Sequence, residues 1–140
     1  MGAGLRPRVF LDANVLFSAS LGGPVWEAIW DVANAGGYEL VTSPFALVEA
    51  RENLKRKRPE ALGALSERLR SVRLVPEAEP EPWMVGQPPQ KDLPILAAAA
   101  AAGCRVLLTG DTRHFGQLMK RDDLPLRILT PAHFVHVFRP

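Results

Sequence analysis

Short apolar runs without helical period alternate along this chain with segments whose apolar residues recur every three or four positions. Arg8–Leu11 ends in three consecutive apolar residues and predicts a buried strand, closed by the polar pair Asp12 and Asn14, where a helix begins. Pro24 suits a first helical turn and opens a second helix with Val25, Ile29, Trp30 and Val32–Ala33 as its apolar stripe, ended by Gly36-Gly37. Tyr38–Thr42 predicts a second strand. Ser43 before Pro44 is an N-cap signature, so a helix runs from Pro44 through Phe45, Leu47, Val48 and Leu54 until Pro59 stops it. Glu60–Ser71 predicts another amphipathic helix on Leu62, Leu65 and Leu69, and Val72–Val75 a third strand.

The stretch Pro76–Gln90 holds five prolines and three glutamates, a composition that predicts an irregular loop. Lys91–Ala102 is helical by its alanine content, with Pro94 in the first turn and Asp92 at the N-terminal end. Arg105–Leu108 is the fourth and most apolar strand, followed by a short helix around His114–Lys120. A fifth strand at Arg127–Leu129 and a last helix at Pro131–Phe138 complete the series. Strands alternating with helices predict a mainly parallel, about five-stranded sheet covered on both faces, a three-layer α/β/α sandwich. With 140 residues the chain has room for one such domain over 1–140.

Composition narrows the classes of function. A net charge of +2 and a pI near 9.0 are compatible with nucleic acid but are not the footprint of a protein that coats it. The single Cys104 excludes an internal disulfide and a cysteine zinc cluster and suits a reducing compartment, so the expected location is the cytoplasm. Arg6, Arg8 and the apolar run after them imitate a secretory leader, but Asp12 and Asn14 interrupt it. The run of alanines 97–102 stops at Gly103, short of the roughly 20 residues of a membrane span. No membrane association is predicted.

Carboxylates occupy positions where the pattern is otherwise building core. Asp12 follows Val9-Phe10-Leu11, and Asp111 follows Val106-Leu107-Leu108-Thr109-Gly110. In parallel sheets functional groups gather beyond the carboxyl ends of the strands, so these two acids share an edge if their strands are close neighbours. Asp92 begins a helix whose positive end faces the same edge. For each acid alone, capping the next helix is the competing explanation. Glu49 lies either on the line of Phe45 and Val48 or to the side of a line through Leu47 and Leu54, and the pattern leaves its direction open. His133 and His136 are three apart on the last helix without a third zinc ligand nearby. Trp26 and Trp30 read as core or a dimer seam.

The order VFLDANVLFSA, SPFALVEA, KDLPILAAAAA and LLTGDTRHF resembles the PIN-domain family of metal-dependent ribonucleases over nearly the whole chain. The resemblance implies that Asp12, Glu49, Asp92 and Asp111 converge as catalytic metal ligands for Mg²⁺ or Mn²⁺, with Asn14 and Thr109 in support. It also implies an RNA substrate and an antitoxin protein partner if the chain is a toxin of a toxin–antitoxin pair; a homodimer is expected as well. One departure concerns Asp111-Thr112-Arg113-His114-Phe115, where members of the family often carry a further acid. Arg113 and His114 are there as phosphate contacts, or as a solvated arginine and a helix-capping histidine. The basic run Arg51, Lys55, Arg56, Lys57 and Arg58 follows Glu49, and Arg51 and Lys55 are its candidate RNA contacts. The alternative functions are an inactive module of this fold that binds RNA or a protein, and a phosphotransferase with a phosphorylated Asp12, for which Asn14 stands where a second Asp is usual. Like charges in one pocket further predict that Asp92→Asn or Asp111→Asn melts higher than the metal-free parent.

Overall fold

The structure is a computed structural model and describes residues 6–138. The strands β1 (Arg8–Leu11), β2 (Glu39–Thr42), β3 (Arg73–Leu74), β4 (Val106–Leu108) and β5 (Arg127–Leu129) form one all-parallel sheet in the order β3-β2-β1-β4-β5. The helices α1 (Ala13–Ser20), α2 (Val25–Ala35), α3 (Pro44–Lys57), α4 (Leu62–Leu69), α5 (Leu93–Ala101), α6 (Thr112–Met119) and α7 (Pro131–Phe138) flank it, giving the three-layer α/β/α sandwich. Because both faces of the sheet are covered, its central strands read as unbroken apolar runs rather than alternating ones. Val9, Phe10 and Leu11 of β1 and Val106, Leu107 and Leu108 of β4 are all buried.

The differences from the expected elements have local causes. The helix expected at Glu60–Ser71 is a 3₁₀ turn at Pro59–Ala61 followed by the shorter α4, because Arg58 leaves the helical region (φ −151°) and the chain restarts at Pro59. The third strand shrinks to two exposed residues, as an edge strand with one neighbour can. β2 and β4 each begin one residue later than expected. The proline-rich loop is not wholly irregular: Pro82–Met84 forms a 3₁₀ turn that buries Met84 and packs against α5. On α2 the buried stripe is Trp26, Ile29, Val32 and Ala33, whereas Trp30 is exposed and stacks on Trp26 with ring centroids 6.1 Å apart. The segment that imitates a leader is β1 and α1, part of the core. Among the described residues no helix is long and apolar enough to cross a membrane.

Candidate metal centre

From β1 the chain proceeds to β2 and β3 on one side, then crosses to β4 and β5 on the other, so the strand order reverses between β1 and β4. At such a reversal the loops leaving the two strands part and open a crevice at their carboxyl ends. Leu11 pairs with Leu108 in register, and the Asp12 N–H donates to the Leu108 carbonyl at 3.0 Å. Register therefore puts Asp12 beside Thr109, and the Thr109 hydroxyl donates to Asp12 Oδ2 at 2.8 Å. The Asn14 amide donates to the same Oδ2 (3.3 Å) and to Thr109 Oγ1 (3.2 Å), while Asn14 Oδ1 accepts the Gly110 N–H at 2.7 Å. A Cβ on Gly110 would stand 3.3 Å from that Oδ1, so any larger residue before Asp111 would press on Asn14, which would have to give by a few tenths of an ångström. Thr109 Oγ1 also accepts the Asp111 N–H at 3.1 Å. Asp12, Asn14, Thr109 and Asp111 are thus one network across two strand ends.

Asp12 also caps α1, its Oδ1 accepting the Ala13 N–H at 2.6 Å, and Asp111 caps α6 through the His114 N–H at 3.0 Å. Capping and clustering are therefore tasks of the same carboxyl groups. Asp92 ends a 3₁₀ turn at Gln90–Asp92 and stands at the start of α5, where Pro94 fits the first turn. His114, on the first turn of α6, fills the space between two of the acids. Its Nδ1 is 2.7 Å from Asp111 Oδ2 and 3.2 Å from Asp92 Oδ2, yet neither approach is aligned as a hydrogen bond, and Nδ1 and Asp92 Oδ2 are buried without a partner. Donor atoms of Asp92, Asp111 and His114 lie within 4.8 Å of one another.

Glu49 approaches from α3. That helix buries Ala46, Ala50 and Leu54, and Glu49 sits at the border of this line, exposed as a residue but with its charge bearing on Asp12 and Asp92. Neither Glu49 nor Asp12 belongs to the tight triad around His114. Burial pushes the Asp12 carboxyl up from 3.8 to about 6; the Thr109 and Ala13 bonds oppose this, and the charges of Glu49 and Asp92 add to it. Glu49 is raised by partial burial and then by Asp92, and Lys91 opposes the rise. Asp92 is raised by burial, lowered by His114, raised by Asp111 and lowered by Lys91.

The residues fit a divalent cation. Carboxylate oxygens are the donors that hard ions take, they bring like charge together, and one buried oxygen among them, Asp92 Oδ2, has no hydrogen-bond partner.

A groove of about 660 Å³ opens beside the centre, lined by Asn14, Ser18, Val25, Gly110, Asp111 and Thr130 among others. The basic residues divide. Arg51 is exposed, about 200° around α3 from Glu49, and Lys55 is exposed with Nζ 3.8 Å from Glu52. Arg56 donates to Asn53 (2.9 Å), Arg58 is 3.7 Å from Glu60, and Lys57 lies 5.9 Å from the Phe17 ring centroid. Lys91, which the sequence reading passed over although it directly precedes Asp92, is the exposed cation acting on both Glu49 and Asp92. Arg113 is exposed two positions past Asp111, and His133 and His136 are exposed on α7.

A family model described as PIN domain matches residues 8–113, a span that contains Asp12, Glu49, Asp92 and Asp111 and stops one residue before His114. No curated protein matches the chain.

Proposed function

The chain belongs to the PIN-domain family, and from that premise we propose that it is a ribonuclease dependent on Mg²⁺ or Mn²⁺, which Asp12, Glu49, Asp92 and Asp111 hold. The observation that carries this reading is that acids following β1 and β4, on α3 and at the start of α5 act on one another's charge, Asp12 with Glu49 and Asp92, and Asp92 with Asp111, while Asp92 Oδ2 is buried without a hydrogen-bond partner. When bound, such an ion supplies a water acidic enough to act as nucleophile and a positive charge against the phosphoryl oxygens.

The protein's own contribution is orientation. Thr109 and Asn14 fix Asp12 in one rotamer, and Asn14 and Thr109 together fix the backbone that carries Asp111. Lys91 and Arg113 place positive charge at the rim, where phosphates flanking the scissile one arrive, whereas Arg51 and Lys55 are turned around α3 away from Glu49 and play no part in it. The proposal includes the finer role of a toxin of a toxin–antitoxin pair, a cytoplasmic homodimer restrained by an antitoxin protein. It is supported by the family resemblance and by Cys104, a lone buried thiol suited to a reducing compartment.

Incubation of the purified protein with end-labelled RNA tests the reading. Cleavage is expected with Mn²⁺ or Mg²⁺, none in chelator, and only background for Asp12→Asn at unchanged helix content. Undiminished cleavage by Asp12→Asn sinks the assignment. RNA that is retained but uncut by the wild type under either metal marks a binding module instead.

A further inference from the structure

His114 is the member of the cluster that oxygen-donor chemistry does not require. Its placement is fixed twice: its N–H is held by Asp111 Oδ1, and the next residue, Phe115, is fully buried, which sets the rotation of α6. The ring therefore enters between Asp111 and Asp92. An imidazolium clamped by two carboxylates makes an aligned N–H···O bond to at least one of them, and here neither contact is aligned and Nδ1 has no partner. The separations match a different arrangement. Two donors at right angles on an octahedral ion with bonds of about 2.1 Å stand about 3.0 Å apart, and the Nδ1 separations are 2.7 and 3.2 Å.

We propose that His114 Nδ1 is itself a metal ligand, forming one face of the coordination shell with Asp92 and Asp111, and that this nitrogen donor makes the centre favour first-row transition ions over Mg²⁺. This rests on the metal-dependent reading above and adds to it a ligand outside the matched span. Imidazole adds affinity for later divalent metals much more than for Mg²⁺, which prefers water and carboxylate. The position where relatives often carry a further acid is then not vacant but holds a donor of another kind.

Electron spin-echo spectroscopy of the wild-type protein with Mn²⁺ tests the bond directly, because a coordinated imidazole imprints a ¹⁴N modulation that a merely neighbouring ring does not. The modulation is expected in the wild type and absent from His114→Gln and His114→Asp. By calorimetric titration the Co²⁺-to-Mg²⁺ affinity ratio is expected to fall in both variants, with Mg²⁺ binding retained in His114→Asp, where an oxygen donor replaces the nitrogen. Mn²⁺ bound to the wild type without nitrogen modulation overturns the inference and leaves the nuclease reading standing; this needs no variant to fold. An unchanged affinity ratio in both variants overturns it likewise. If the wild type binds no divalent ion at millimolar concentration, the metal-dependent reading falls first and this one with it.

Discussion

One oxygen of Asp111 accepts the His114 N–H that α6 would otherwise leave free, and its other oxygen faces the His114 ring, so removing this side chain takes away a helix cap as well as a charge. Asp92 has no such compensation: its carboxyl is raised by burial and by the Asp111 charge, and its backbone position caps nothing through the side chain. Asp111→Asn keeps a side chain that can cap and is still expected to behave as Asp92→Asn does, but the two acids separate once the cap itself is removed. In chelator Asp92→Asn is expected to melt above the wild type. Asp111→Ala is expected to lose about 1 kcal/mol of capping, a fall of about 4 °C for a chain of this length. Thermal melts of the three proteins in chelator decide this, and a rise for Asp111→Ala would show that charge repulsion outweighs the cap. The case also shows what the sequence could carry at this scale. Asp-after-strand was legible as a cap or as a cluster member, and Asp12 and Asp111 are both, which no single spacing rule expresses.

At the level of elements, β1, β5 and α7 have the expected bounds because each is delimited by strong local chemistry: Asp12 after β1, Thr130 between β5 and α7, and Pro131 as the first residue of α7. Glu49 was not orientable because the large residues of α3 mislead. Phe45 and Leu47 are only half-buried and Val48 is 53% exposed, while the packed line is Ala46, Ala50 and Leu54. Alanines let helices approach closely, and a pattern weighted by side-chain size overlooks them. The same holds on α5, where Ala97, Ala98 and Ala99 are buried behind the turn that carries Asp92. Ala98→Leu is expected to cost about 1–3 kcal/mol by overpacking and to shift α5 and hence Asp92, so that urea midpoints drop and the stabilisation by Mn²⁺ shrinks as well. A variant destabilised in urea with an undiminished Mn²⁺ response would show that α5 packing and the site are uncoupled.

For the molecule as a whole, the site exists only because β1 and β4 are neighbours at the reversal of strand order. Alternation of elements predicted the layers and the order of the acids along the chain, and His114 beside Asp111 is a local i,i+3 relation, but the approach of Asp92 to both is settled by non-local packing and lay beyond reach of any local pattern. Bringing these acids together has a consequence for overall stability. Asp12 titrates at its ordinary 3.8 when unfolded and at about 6 in the fold, so between those values the folded chain keeps a proton that the unfolded chain has released. Stability from this group is therefore full below about pH 4 and lost as pH rises through about 6. The difference between those two values corresponds to roughly 3 kcal/mol. Glu49 and Asp92 are raised as well and act in the same sense. Surface carboxylates with cationic partners, such as Asp123 beside Arg121, act in the opposite sense, so the informative quantity is the difference between wild type and Asp12→Asn, in which they cancel. In chelator that difference is expected to move against the wild type by roughly 3 kcal/mol between pH 4 and pH 7. Added Mn²⁺ at about 100 times its dissociation constant should return roughly 2.7 kcal/mol at neutral pH and less at pH 4.5, where the Asp12 carboxyl holds its proton. Urea unfolding across this range, with and without Mn²⁺, measures both. A pH-independent difference would mean that the buried Asp12 carboxyl is as well satisfied charged as neutral by Thr109 and Ala13, and that no electrostatic strain awaits a metal.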